Sequence, residues 1–379
     1  MTKKKLRVAV VAPKYGMVGG IERFVMELTE RIACYPDFSI HVIANEWKSV
    51  SDRVTFHKFP IITFPRFFRP ISAALSIQQI IAKNKYDLIH SHERIFMTDI
   101  YSIHGIPHKY WINNVRKKKR LSLFDYCTHW VEKKMVMNAR CRHYLSVSEL
   151  TRTIFIDSLS VKSDSVKVIH PGVDLKPFNA LDRKQCRMEI RERLGLKLSD
   201  IILLFVGMNF EIKGLSSLIK AVAKSIQHNS AVPLKLVIVG KGNYSRYSKL
   251  AAQLGIPNNV VFTGVLEEDI EKVYLASDLF SMLSEFDAFG MTVLEAMAAS
   301  IPVIISDHVG AKDIIQQGEN GYIVERHNID QISTSINALL DETHRKNISK
   351  LAYKTSQNYS WDHTANQVID IYKSYIPQI

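Results

Sequence analysis

Short apolar runs alternate along this chain with stretches whose apolar residues recur every three or four positions. The run "LRVAVVA" (6–12) predicts a buried strand, and "GIERFVMELTERIA" after it predicts a helix with Ile21, Phe24, Val25, Leu28 and Ile32 on one face. "SIHVIAN" (39–45) and "DLIHSH" (87–92) predict further strands. A second series begins at "DIILLFVG" (200–207) and continues through "LKLVIVG" (234–240), "NVVFTG" (259–264), "DLFSMLS" (278–284), "IPVIIS" (301–306) and "GYIV" (321–324). Helical patterns fall between most of these runs. Alternation of this kind predicts parallel sheets covered by helices. Two such series predict two doubly wound domains, separated near "HPGVDLKPFNALDRKQ" (170–185), where prolines and a glycine interrupt the pattern. The expected domains are residues 1–178, joined by 361–379, and residues 179–360.

Length agrees with two domains, since 379 residues exceed the roughly 100–200 of one domain. The formal net charge of +13 favours an anionic partner: nucleic acid, an anionic membrane or a phosphorylated substrate. Cys34, Cys127, Cys141 and Cys186 lack the spacing of a zinc knuckle or redox pair, and are expected to be reduced thiols of a cytosolic protein. The apolar run near the N-terminus is too short for a secretory signal, and no run reaches the roughly 18–20 apolar residues of a membrane-spanning helix. Zinc fingers, RNP aromatics and a recognition-helix signature are not found, so nucleic acid is not expected as a partner.

Ligands of open α/β sheets bind at the carboxyl ends of the strands, so the segments just after strands carry the chemistry. In "PKYGMVGGIER" (13–23), Gly19 and Gly20 lie between strand and helix, where free amides and a partial positive charge suit an anion. The spacing is not GxGxxG. In "VGMNFEIKG" (206–214), Lys213 precedes a helix that begins near Gly214, a place for a phosphate. GxxxxGK[ST] is absent, which argues against that hydrolytic machinery. "SEFDAFGMTVLEAMAAS" (284–300) brackets a strand-to-helix turn with Asp287 and Glu295. Gly290 opens the helix and exposes its first amides. One turn thereby offers amides to a phosphate and carboxylates to sugar hydroxyls, the two needs of a sugar nucleotide.

With these motifs in view, the chain resembles the family 4 glycosyltransferases, which carry a Glu-x7-Glu motif written here "DAFGMTVLEAMA" (287–298). The resemblance extends through "GGIER" (19–23), "HG" (104–105), "SVSE" (146–149), "HPGVD" (170–174), "KG" (213–214), "VFTG" (261–264) and "YSWDHTANQVIDIY" (359–372). It implies the GT-B fold: two Rossmann-like domains facing a cleft, with a C-terminal helix crossing back to the first. It implies transfer of a sugar from a nucleotide donor with retention of configuration, without cofactor or metal. His104, Lys213, Asp287 and Glu295 are the implied catalytic residues. Gly19, Gly20, Met208, Asn209, Lys213, Gly240, Val265, Phe289, Gly290, Met291, Thr292 and Glu295 are the implied nucleotide-sugar contacts.

Two departures from the family pattern matter. The first acid is Asp287, one methylene shorter than Glu, and Glu285 stands nearby as an alternative. Met208 occupies a position where the family often has Arg, leaving more of the phosphate charge to Lys213. Asn209 and Phe210 resemble the variant in lipopolysaccharide-core glucosyltransferases, which suggests a UDP-hexose donor and a cell-envelope glycan or lipid-linked acceptor. A sugar-nucleotide epimerase of the same fold is the alternative.

The segment 108–144 mixes Lys and Arg with Tyr, Trp and Phe, and Leu123, Cys127, Val131 and Met135 recur every four residues. With "FPRFFRP" (64–70), it predicts contact with an anionic membrane at the cytoplasmic face.

Overall fold

The computed structural model describes residues 5–17, 19–138, 140–229, 232–266 and 268–376. It divides into two compact units, one of residues Met1–Pro171 with Trp361–Ile379, the other Gly172–Ser360. The division falls earlier than 178/179. Val173 bridges Ser360, its amide donates to the Tyr359 carbonyl at 2.8 Å, and the Phe178 ring meets Tyr274 at 6.2 Å. These contacts tie residues 173–178 to the second unit.

In the first unit, seven strands form one parallel sheet: β1 Leu6–Val11, β2 Phe38–Ala44, β3 Val54–Lys58, β4 Leu88–Ser91, β5 Ile100–Ile103, β6 His143–Ser146 and β7 Val166–Val168. Their spatial order is β3-β2-β1-β4-β5-β6-β7. β1, apart from Arg7, is apolar and buried, and β4 is buried throughout, His90 and Ser91 included, as strands covered on both faces are. β3, β5, β6 and β7 escape the sequence reading: β5 and β6 are only four residues each, and only Val54 and Val166 of β3 and β7 are fully buried. The helix Gly20–Ile32 buries Phe24, Val25, Leu28 and Ile32, whereas Ile21 in its first turn is exposed. The C-terminal helix Trp361–Lys373 belongs to this unit. Trp361 packs edge-on to Phe24 at 5.5 Å, and Tyr35 donates to Asn366 at 2.9 Å.

The second unit has six parallel strands: β8 Ile201–Gly207, β9 Leu234–Gly240, β10 Val260–Gly264, β11 Leu279–Met282, β12 Val303–Ser306 and β13 Gly321–Val324. Their order is β10-β9-β8-β11-β12-β13. β8 and β9 pair in register from Ile201↔Leu234 to Gly207↔Gly240. Both sheets thus reverse direction of winding once, between β1 and β4 and between β8 and β11. These switch points are where a crevice opens outside the strand ends. Among the described residues no helix is long and apolar enough to cross a membrane.

Candidate functional site

At the switch point of the second unit, the loop after β8 and the turn after β11 lie side by side. The first loop is wound tightly: Lys213 N donates to Asn209 O at 2.9 Å and Leu215 N to Phe210 O at 3.0 Å. Asn209 Oδ1 accepts from Ile212 N at 3.2 Å, and Phe210 is buried beneath. Gly214, with φ +79°, caps the helix Leu215–His228, and a Cβ there would stand 2.0 Å from the Leu283 carbonyl oxygen. Glycine is what permits this approach. The two segments are joined by Glu285 N donating to Ile212 O at 2.7 Å.

This arrangement brings Lys213 onto Asp287, and their side chains form an ion pair. Glu285 is engaged differently, paired with Arg326. Arg326 also donates to the Leu283 carbonyl at 3.2 Å and the Glu211 carbonyl at 3.3 Å, and burial holds its guanidinium below the usual range. Of the two acids, Asp287 is therefore the one on the lysine, and Glu285 is a strut between loops. Arg326 was not foreseen. Its only sequence signal is its place two residues after the apolar run "GYIV", just past the carboxyl end of β13.

The backbone of Asp287 is fixed by Asp287 N to His308 O and Gly310 N to Asp287 O, both 3.0 Å. Gly290, φ +91°, caps the helix Met291–Ala298. Glu295, within that helix, accepts from the Tyr274 hydroxyl at 3.0 Å, a partner the sequence did not suggest. Thr292 Oγ1 is buried without a hydrogen-bond partner among the described residues. Met208 is 62% exposed, and Val265 is also exposed. Gly240 lies so close to β8 that a Cβ would meet the Gly207 carbonyl at 1.9 Å. Phe289, expected as a nucleotide-sugar contact, has its ring buried in the core, which leaves its backbone as the part at the turn. Its amide donates to Asp287 Oδ1 at 3.3 Å and its carbonyl accepts from Ala311 at 2.6 Å, so it shapes the turn.

The first unit presents its own cluster at its switch point. Gly19 caps the helix that Gly20 opens, with the Glu22 carboxylate folded against Gly19. His104, after β5, shares a 2.8 Å hydrogen bond between its Nε2 and His92 Nδ1. Phe24 packs edge-on to His104 at 4.7 Å. The His90 ring lies 4.3 Å from that of His92, and His90 bonds Tyr372 at 2.7 Å and Ser102 at 2.8 Å. Burial lowers all three imidazoles, His90 and His104 to about 3, with repulsion between neighbouring rings adding to the effect at His90 and His92. They are neutral at pH 7. His92 Nε2 is buried without a partner among the described residues. A buried orphan acceptor costs less than an orphan N–H, so His92 carries its proton on Nδ1 and donates to His104. That leaves His104 with Nδ1–H, a donor suited to a hydroxyl. The signal for His92 was present in "DLIHSH", at the end of a strand beside the switch point.

Comparisons with known proteins agree with this architecture. The Glycosyltransferase Family 4 model matches residues 18–177 and the Glycosyl transferases group 1 model residues 187–355. An uncharacterized glycosyltransferase of Methanocaldococcus jannaschii is 29% identical over 305 residues, covering 78% of this chain and 77% of that one. A D-inositol 3-phosphate glycosyltransferase of Rhodococcus erythropolis is 30% identical over 216 residues, 55% of this chain and 48% of its own. The match thus spans about half of that relative. Among solved structures, WaaG, a glycosyltransferase involved in lipopolysaccharide biosynthesis, superposes with TM-score 0.80 at 18% identity, covering 96% of this chain and 99% of WaaG. Anabaena Alr3699/HepE in complex with UDP and glucose superposes with TM-score 0.74 at 19% identity, covering 97% and 100%. With the two models together spanning most of the sequence, and the GT-B architecture present in both units, the chain belongs to the family 4 glycosyltransferases.

Proposed function

We propose that this glycosyltransferase moves a hexose from a UDP-sugar to a cell-envelope glycan or lipid-linked acceptor, with retention and without a metal. The observation that carries the reading is the pairing of the Lys213 loop with the Asp287–Gly290 turn on the two strands that flank the second switch point. In the reaction, the bond from the anomeric carbon to the leaving diphosphate oxygen breaks. A bond to the acceptor oxygen forms on the same face, and the acceptor proton passes to the leaving phosphate. Lys213 and the amides from Gly290 onward meet the charge that develops on the diphosphate. Glu295, oriented by Tyr274, accepts from ribose hydroxyls, and Asp287 from those of the sugar. His104 donates to a sugar hydroxyl, and the amides of Gly19 and Gly20 contribute once the Glu22 side chain swings aside. The UDP and glucose bound to HepE support the choice of donor, and the role of WaaG supports the class of acceptor.

A panel of UDP-, GDP- and ADP-hexoses in thermal-shift titrations tests the donor. UDP-hexose is expected to raise Tm by several degrees at saturation, by mass action on the folded state. A shift with GDP- or ADP-sugars alone would refute the base assignment.

A surface of the first unit suits an acceptor held at an anionic membrane. Phe64, Leu123 and Met137 are 86%, 66% and 71% exposed, and Tyr126 and Trp130 are exposed beside them. The helix Leu123–Met137 buries Val131 and Met135 and turns Leu123 outward, so the residues that recur every four positions are shared between core and surface. Arg66 lies over Phe124 at 5.1 Å and Lys134 over Trp130 at 6.0 Å, and residues 116–120 are five exposed cations. Each basic residue near an anionic leaflet contributes about 1 kcal/mol. Flotation with vesicles containing anionic phospholipid is expected to carry the protein upward at low salt. The fraction bound should fall when Phe64 and Leu123 are both replaced by Ser. Equal flotation with neutral vesicles would rule out the charge-assisted mode.

A further inference from the structure

The second unit has a cavity of about 520 Å³ at the amino ends of its strands, the end of the sheet opposite to Lys213 and Asp287. Its floor is formed where the chain enters β11 and β12, at Asp278 and Ser300. Its walls are the helices Arg183–Arg193 and Glu342–Ser356. Arg183 and Arg187 face it from the first helix, one turn apart, a like-charged spacing that is unfavourable on its own. Arg345, Lys346 and Lys350 face it from the second.

The carboxylates present do not balance these cations. Asp278 is fully occupied, accepting from Arg187 Nη1 and Arg191 Nη2 at 2.8 Å each and from Ile202 N at 2.9 Å. Glu342 pairs with Lys346 at 2.6 Å. Among the described residues no carboxylate pairs with Arg183, Arg345 or Lys350. Arg183 donates instead to the Ala299 carbonyl, and Arg345 to the carbonyls of Leu339 at 2.8 Å and Leu340 at 3.1 Å. Burial, and then Arg187 beside it, hold the Arg183 guanidinium below its usual range. Two helices thus bring unmatched positive charge to one concave space. The half-buried guanidiniums form its wall and the exposed Lys350 its rim. Such a convergence is stabilised by an anion that takes charge-assisted hydrogen bonds from several donors at once. The volume is that of a small-molecule site.

We propose that this cavity is a second anion site, separate from the donor site, that binds the phosphate of a small molecule. It lies at the wrong end of the strands to take part in glycosyl transfer, so its ligand acts on the enzyme from a distance or holds the unit together.

Titration calorimetry on the full chain, at constant ionic strength in chloride, tests this with inorganic phosphate and a hexose 6-phosphate as probes. Both are to be run on the wild type, on Arg345→Gln/Lys350→Gln, on Lys350→Gln alone and on Lys213→Gln. Binding is expected in the wild type and in Lys213→Gln. It should weaken at least about tenfold in the double variant, as the loss of two charge-assisted contacts implies. Lys350→Gln, exposed and paired with no carboxylate, guards against misfolding of the double variant and should weaken binding about threefold or more. Tighter binding of the hexose phosphate supports an organic ligand, and equal binding supports the free anion. Loss in Lys213→Gln with retention in Arg345→Gln/Lys350→Gln would assign the phosphate to the donor site and overturn the proposal. So would the absence of binding to the wild type.

Discussion

Replacing Lys213 by glutamine is expected to lower kcat by about 10²–10³-fold, the cost of removing one preorganised group aimed at developing negative charge. The lysine stands at the end of β8 with its ammonium on Asp287, so it is held in place before any donor arrives. Met208 occupies the place where a second cation would share the load, which makes the loss at Lys213 larger than in a site with two clamps. The effect should fall mainly on kcat. Charge on the diphosphate rises as the glycosidic bond breaks, and an interaction that strengthens in the transition state changes kcat more than KM. Steady-state kinetics with UDP-hexose and an acceptor will measure it. A kcat within threefold of wild type would remove Lys213 from the mechanism.

The second large effect is expected at Gly214. Alanine there must hold φ near +79° and place its Cβ 2.0 Å from the Leu283 carbonyl oxygen. A left-handed backbone alone costs about 1–2 kcal/mol for a residue with a Cβ. The clash adds to that, because the opposing atom is backbone at the end of β11 and cannot rotate away. Relief requires the Lys213 loop to move off the Asp287 turn, lengthening the bond from Glu285 N to Ile212 O. Thermal unfolding should show Tm lower by at least about 4 °C, at roughly 2–4 °C per kcal/mol for a domain of this size. Gly195→Ala is the control: its φ is +65°, with nothing within 4 Å of the added atom. It should show only the backbone cost. Equal losses at the two sites would mean that the close approach at Gly214 is unimportant.

The second unit was largely legible in the sequence because its central strands are continuous apolar runs bounded by glycine or polar turns. The first was less so. β3, β5, β6 and β7 are three to five residues long; the half-buried edge strands β3 and β7 leave no apolar run to read, and the buried β5 and β6 are too short and too mixed with Ser, His and Tyr to stand out. Periodicity placed Ile21 with the buried face of its helix, yet the first turn of a helix can overhang its sheet. Lys213, Asp287 and Gly290 drew notice because they lie in segments that follow strands, and Glu295 because of its spacing from Asp287 in the helix beyond. Arg326 and Tyr274 did not, since what gives them meaning is a partner across the fold, Glu285 and Glu295, and His92 stood at a strand end without any sign of its partner His104. Phe289 adds something the motif pattern did not indicate: its ring packs in the core.

The placement of Trp361–Lys373 has a consequence for how the protein is made. Phe24 and His90 of the first unit meet Trp361 and Tyr372, which leave the ribosome only after the intervening stretch of about 190 residues. At roughly 5–20 residues per second, the nascent N-terminal half waits about 10–40 s with that surface uncovered. Closure of that surface therefore waits for Trp361–Lys373 to emerge, and until then the apolar face around Phe24 has no native cover from that helix.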